Sequence, residues 1–180
     1  MNIENIDNEI NKQLELLKEK VEQIKLEEVC EFKLDEAGEK IPWNDLVYKG
    51  VYLFEIKNDK RFTDFESWIE DFKKVWENKD YRYKFTPNTR KIRIKAHKEL
   101  NDWIPIYIGK SRNVGSRIHG HIYKELHKTT FALKLLARTN LKHHTFRIKS
   151  IKVDVHNYDS IVPKIEWQLR NRLNPIIGKQ

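Results

Sequence analysis

The chain has 180 residues, 39% of them hydrophobic, with 35 Lys and Arg against 27 Asp and Glu for a formal net charge of +8. That length suits one domain with a real core, and no run of 18 apolar residues exists that could span a membrane as a helix. The charge is lopsided: residues 1–48 carry 6 basic against 13 acidic side chains, residues 49–180 carry 29 against 14, and residues 81–152 carry 18 against 3. A cationic field so concentrated attracts polyanions, nucleic acid first, and fits a purely structural or protein-binding role poorly; a basic surface serving solubility alone is the alternative.

In chain order, residues 2–26 read as an unbroken helix. Ile10, Leu14, Leu17, Val21 and Ile24 form a heptad-like seam, with Ile3 and Ile6 ahead of it. Such a helix is either a homodimerisation arm or a helix packed on its own domain. Residues 29–40 read as polar linker with a turn at residues 35–38, so residues 1–48 are taken as a helical arm and linker preceding a domain over 49–180. The acidic start lacks the apolar stretch of a secretory leader, and a cytoplasmic location is expected. A single cysteine, Cys30, allows neither an internal disulfide nor a zinc cluster and reads as a small packed hydrophobe.

Residues 49–57 alternate as a strand carrying Tyr52. Residues 63–78 read as a helix, with Phe65, Trp68, Ile69, Phe72, Val75 and Trp76 at helical spacing and Thr63 as its cap. Residues 90–95 alternate as a strand with one cationic face. Arg82, Lys84, Arg90, Arg93, Lys95 and Arg112 are the candidate DNA contacts. An apolar run over residues 103–108 reads as a buried strand, broken at Gly109, with Ser111 or Asn113 capping a helix whose stripe is Val114, Ile118, Ile122 and Leu126. A second helix is expected through Phe131, Leu133, Leu135 and Leu136. A strand follows over 143–155, with a break in phase near Ser150. A last helix starts at Ser160, with Pro163 in its first turn. The fold class is α+β: a small, mostly antiparallel sheet flanked by helices.

Arg117 and His121 sit four residues apart on the helix after Gly109, near the end of a strand, where a phosphate could be held. Gly109-Lys110-Ser111 ends like a P-loop, but that motif needs a glycine at position 104, which is Ile. Glu166 shares a stripe with Val162, Leu169 and Leu173. A carboxylate on an apolar face needs a cation or a partner, either a metal or Arg170 four residues on.

Tyr107-Ile108-Gly109, with Arg117 eight residues after the glycine and His121 four after that, resembles the second half of the GIY-YIG nuclease signature. Gly50-Val51-Tyr52 resembles its first half, and Glu166 followed by Asn174-Pro175 resembles its end. Fifty-five residues separate Tyr52 from Tyr107, where minimal members have about one hairpin, so residues 58–102 are an insertion. Insertions at this point resemble those by which restriction enzymes of the family acquire target recognition.

The resemblance implies a phosphodiester hydrolase. Tyr52, Tyr107, Lys110, Arg117, His121 and Glu166 would be its catalytic set, Glu166 the ligand for Mg²⁺ (Mn²⁺ substituting), and Asn174 an orienting residue. Tyr52 is the general base or shares that role with His121. The expected function is sequence-specific cleavage of double-stranded DNA, as in restriction enzymes. The alternatives are a repair or mobile-element nuclease, or an inactive DNA-binding protein of the same fold.

Overall fold

The computed structural model describes residues 2–178. The chain runs through helix α1 (Ile3–Gln23), strand β1 (Glu27–Lys33), short helix α2 (Ala37–Lys40), a 3-10 turn at Trp43–Leu46, and strand β2 (Gly50–Lys57). Next come helix α3 (Phe65–Trp76), the two-residue strand β3 (Asn88–Thr89) and short helix α4 (Lys91–Ile94). Strand β4 (Trp103–Ser111), helix α5 (Val114–Tyr123), strand β5 (Thr145–Lys152), helix α6 (Tyr158–Leu173) and the short β6 (Ile177–Gly178) complete it. The expected α+β class holds. The main sheet is antiparallel with order β1-β5-β2-β4, and β3 pairs with β6. Among the described residues no helix is long and apolar enough to cross a membrane.

β2 is buried from Gly50 to Ile56, which is why it lies inside the sheet, hydrogen-bonded to β4 on one side and β5 on the other. Its alternation feeds two cores. Tyr52, Phe54 and Ile56 pack with α3 and α5, while Val51 and Leu53 pack with α1 and α6. β4 is an edge strand, so groups on either face can meet around its free side.

Several local expectations are corrected. Residues 27–33 are not linker: Phe32 is buried within the larger core, and the strand forms the far edge of the sheet against β5. The boundary expected at residue 48 therefore cuts through the sheet. The cap of α3 is Asp64, not Thr63; its carboxylate accepts from the Ser67 N–H at 2.8 Å. Residues 91–94 are helical instead of extended, and Arg93 turns inward. No helix forms at residues 131–136, because the N–H groups of Leu135 and Leu136 bond the carbonyls of His121 and Ile122. That segment thus satisfies the open end of α5. β5 stays in register past Ser150, whose inward hydroxyl meets Tyr48 Oη at 2.6 Å. α6 begins at Tyr158, so Pro163 lies inside the helix.

The foot of α1 is anchored: Val21 is buried, and Arg172 donates to the carbonyls of Val21, Glu22 and Ile24. Its upper part is bare, with Ile3, Ile6 and Ile10 exposed.

Candidate active site

Four elements deliver the site: β2 gives Tyr52, β4 gives Tyr107 and Lys110, α5 gives Arg117 and His121, and α6 gives Glu166. A bulge in β4 makes the first meeting possible. Phe54 lies opposite Tyr107 and Glu55 opposite Pro105, leaving Ile106 as the extra residue. Ile106 and Tyr107 consequently both pack toward the Tyr52 side, while Ile108 faces the other core. The Tyr107 ring centroid lies 4.7 Å from that of His121 and 6.4 Å from that of Tyr52. Gly109 is the register partner of Tyr52, and a Cβ there would sit 2.6 Å from Tyr52 Cζ. The glycine is needed because the phenol lies across it.

Tyr52 Oη and His121 Nε2 are 2.9 Å apart. On the ring's other side, the Leu133 backbone N–H donates to His121 Nδ1 at 3.0 Å. A backbone N–H only donates, so Nδ1 is an acceptor. In the neutral ring the proton then sits on Nε2, and Nε2–H donates to the Tyr52 oxygen. Burial first, then the Arg117 and Lys124 charges, hold the His121 pKa well below its ordinary value. His121 is thus a neutral donor, and it does not take the Tyr52 proton in this arrangement.

Arg117 donates from Nη2 to the Phe131 carbonyl at 2.8 Å, and its charge favours the ionised form of both phenols. Tyr52 is expected from the sequence to be the general base, alone or with His121, and burial opposes its deprotonation in the folded chain. Tyr52 is fully buried, and desolvation, followed by Tyr107, raises its pKa well above 10 against the pull of Arg117. Burial also raises the pKa of Tyr107, with Arg117 opposing. Tyr107 differs in being only partly buried, so it is the phenol that solvent can reach.

Glu166 is nearly buried at the edge of the α6 stripe. One carboxylate oxygen lies 3.2 Å from Lys110 Nζ and the other accepts from Arg170. α6 packs on the Val51 and Leu53 side of the sheet, so Glu166 approaches β4 from the face opposite the phenols, through Lys110. The ion pair with Arg170 forms, and Lys110 adds a second cation. Among the described residues no group of three or more His, Cys, Asp or Glu could hold a metal. One hard carboxylate suits Mg²⁺, which takes one or two carboxylates and fills its remaining places with water and phosphate oxygens.

The candidate DNA contacts divide. Arg82, Lys84 and Lys95 are exposed. Arg112 is exposed too, but pairs with Asp159 at 2.7 Å and covers the Tyr158 ring. Arg90 is half-buried. Arg93 is not a free contact: its guanidinium donates to the Arg170 carbonyl, to Asn174 Oδ1 at 3.1 Å and to Asn171 Oδ1 at 2.8 Å. Asn174 is the left-handed cap of α6, with φ 48°. Its side chain ties that helix end to Arg93.

The sequence reading missed the segment that holds the site. Phe131 and Leu133 fix Arg117 and His121 through backbone groups. Behind them, buried Arg138 donates to the carbonyls of Leu133, Trp76 and Tyr81 and lies 3.9 Å from the Trp76 ring centroid. Burial lowers its pKa to about 10. Two cationic side chains, Lys134 and Arg138, inside an otherwise apolar run were the available signal, and both are buried. Comparison with known protein families, with curated proteins and with solved structures found no match.

Proposed function

We propose that the protein is a metal-dependent endonuclease that hydrolyses phosphodiester bonds of double-stranded DNA, a GIY-YIG-type enzyme acting at a specific sequence. The observation that carries this reading is the meeting of two phenols, a guanidinium, an imidazole, a lysine and a lone carboxylate around one edge strand. They come from elements as far apart in sequence as Tyr52 and Glu166.

Arg117 has the forked donor set suited to a phosphate and neutralises charge gained in the transition state. Lys110 is a second cation, half-exposed and free to leave Glu166 for a phosphate oxygen. Glu166 would hold Mg²⁺, and the ion would supply Lewis-acid stabilisation of the leaving oxygen. Tyr107 is the phenol a water in the cleft reaches. Arg117 favours its phenolate and burial opposes it. Tyr52, sealed beneath, positions Arg117, with His121 fixing the phenol from behind. Exposed Arg82, Lys84 and Lys95 supply the non-specific grip on the duplex. A second copy joined through the bare Ile3-Ile6-Ile10 stripe of α1 suits a twofold-symmetric target.

One observation favours a second reading. Both oxygens of Glu166 are already matched by cations, the resting state expected of an inactive DNA-binding protein. Incubation with plasmid and Mg²⁺ separates the cases. Discrete fragments support the sequence-specific nuclease, smearing or cutting confined to branched DNA supports a repair enzyme, and retention without cutting supports the inactive fold.

A further inference from the structure

His121 is held at two points by one short stretch of chain. The Leu133 N–H meets its ring at Nδ1, and the Leu135 N–H meets its backbone carbonyl, each at 3.0 Å. Between these two residues stands Lys134, which is wholly buried and has a left-handed backbone, φ 57°. Both features count against a lysine. Glycine or asparagine adopts that backbone at less cost, and a cation leaves water only where its donors are matched.

The compensation lies at the far end of the side chain. Lys134 Nζ donates to the carbonyls of Leu126 and Lys128, both at 2.7 Å. Those two residues lie past the end of α5, where the chain forms neither helix nor strand. The ammonium thus closes a loop running from residue 126 to residue 134. Within that loop Phe131 presents its carbonyl to Arg117 at 2.8 Å, and Thr130 Oγ1 accepts from Lys124 at 2.9 Å. Arg138 holds the other side of the same stretch through the Leu133 carbonyl. Hydrogen bonds from a charged donor are about twice as strong as neutral ones, so the two bonds from Lys134 are the strong ties of the loop.

We propose that Lys134 is a positioning residue of the candidate site. Its ammonium closes the loop over residues 126–134, and the closed loop presents the Leu133 N–H to His121 Nδ1 and the Phe131 carbonyl to Arg117. Lys134 acts on the imidazole through the backbone of its neighbour, and so sets which ring nitrogen carries the proton. That role holds whatever reaction the site performs, so a failure to cut DNA would leave it standing.

The test is NMR of the full chain with histidine and lysine side chains labelled with nitrogen-15. In the wild type the Lys134 ammonium is expected to give its own signal at neutral pH, protected from exchange with water. Exchange as fast as that of the exposed lysines would overturn the proposal without any substitution. Lys134→Met keeps the length of the side chain and deletes its donors. In that variant His121 is expected to lose the single Nε2–H tautomer and to titrate within about one unit of its ordinary 6.5, where the wild-type ring stays neutral. Lys134→Gly relieves the backbone while also deleting the ammonium, and its His121 is expected to behave as in Lys134→Met. A lower melting temperature with a wild-type His121 spectrum, in either variant, would overturn the proposal, because a lysine that only stabilises its loop gives that result.

Discussion

The backbone N–H of Leu133 faces Nδ1 of His121 at 3.0 Å, and that contact decides which end of the imidazole carries the proton. With Nδ1 occupied as an acceptor, Nε2–H is directed at Tyr52. Nitrogen-15 NMR of the ring is expected to show the Nε2–H tautomer and no titration of His121 near its ordinary pKa. A charged ring at pH 6 would contradict the assignment.

The depressed His121 pKa also ties stability to pH. Below the ordinary value of 6.5 the unfolded chain binds a proton at this ring and the folded chain does not. Stability should therefore fall as pH drops from 6.5 toward the folded pKa, by up to about 1.4 kcal/mol per pH unit. Urea midpoints at pH 7 and 5.5 should differ more for the wild type than for His121→Gln. Equal pH dependence in the two proteins would show that the ring is not held neutral.

Gly109→Ala tests the contact across the β2–β4 pair. The new methyl group meets a phenol that has nowhere to go, since Tyr52 is fully buried. A loss of about 1–3 kcal/mol is expected from overpacking, read as a lower urea midpoint. Stability equal to the wild type would mean that the phenol is not lodged there.

Arg93 and Arg82 should behave in opposite ways although both lie in the basic segment between β2 and β4. Arg93→Ala removes donors from the end of α6 and should lower stability by about 1–3 kcal/mol, with little change in how DNA affinity depends on salt. Arg82→Ala should leave the melt unchanged and reduce the slope of log affinity against log salt by about 1. A reversed pattern in melts and salt titrations would overturn the division between them.

What the sequence made legible was local. The Arg117–His121 spacing, the cap at Asn113, the apolar stripe of α3 and that of α5 as far as Ile122 need only neighbours within a turn or two, and they stand where expected. Leu126, expected on the α5 stripe, lies in a turn past the end of the helix. The inward turn of Arg93 depends on partners 77 and more residues away. β1 was overlooked because its charged residues hid the alternation of Cys30, Phe32 and Leu34, and its partner strand lies more than a hundred residues later. The leucines at 131–136 mimic a helix stripe, yet their backbone groups are drawn off to close α5. The β4 bulge, which turns Tyr107 toward Tyr52, leaves no mark in composition at all.

The central claim is tested most directly by the rate at which the protein cuts plasmid DNA in Mg²⁺, compared with that of Glu166→Gln. The wild type is expected to cut. Glu166→Gln is expected to lose at least about 10²- to 10³-fold in rate while still binding the duplex. Equal cutting by both proteins, or no cutting by the wild type on plasmid, linear or branched DNA, would contradict it.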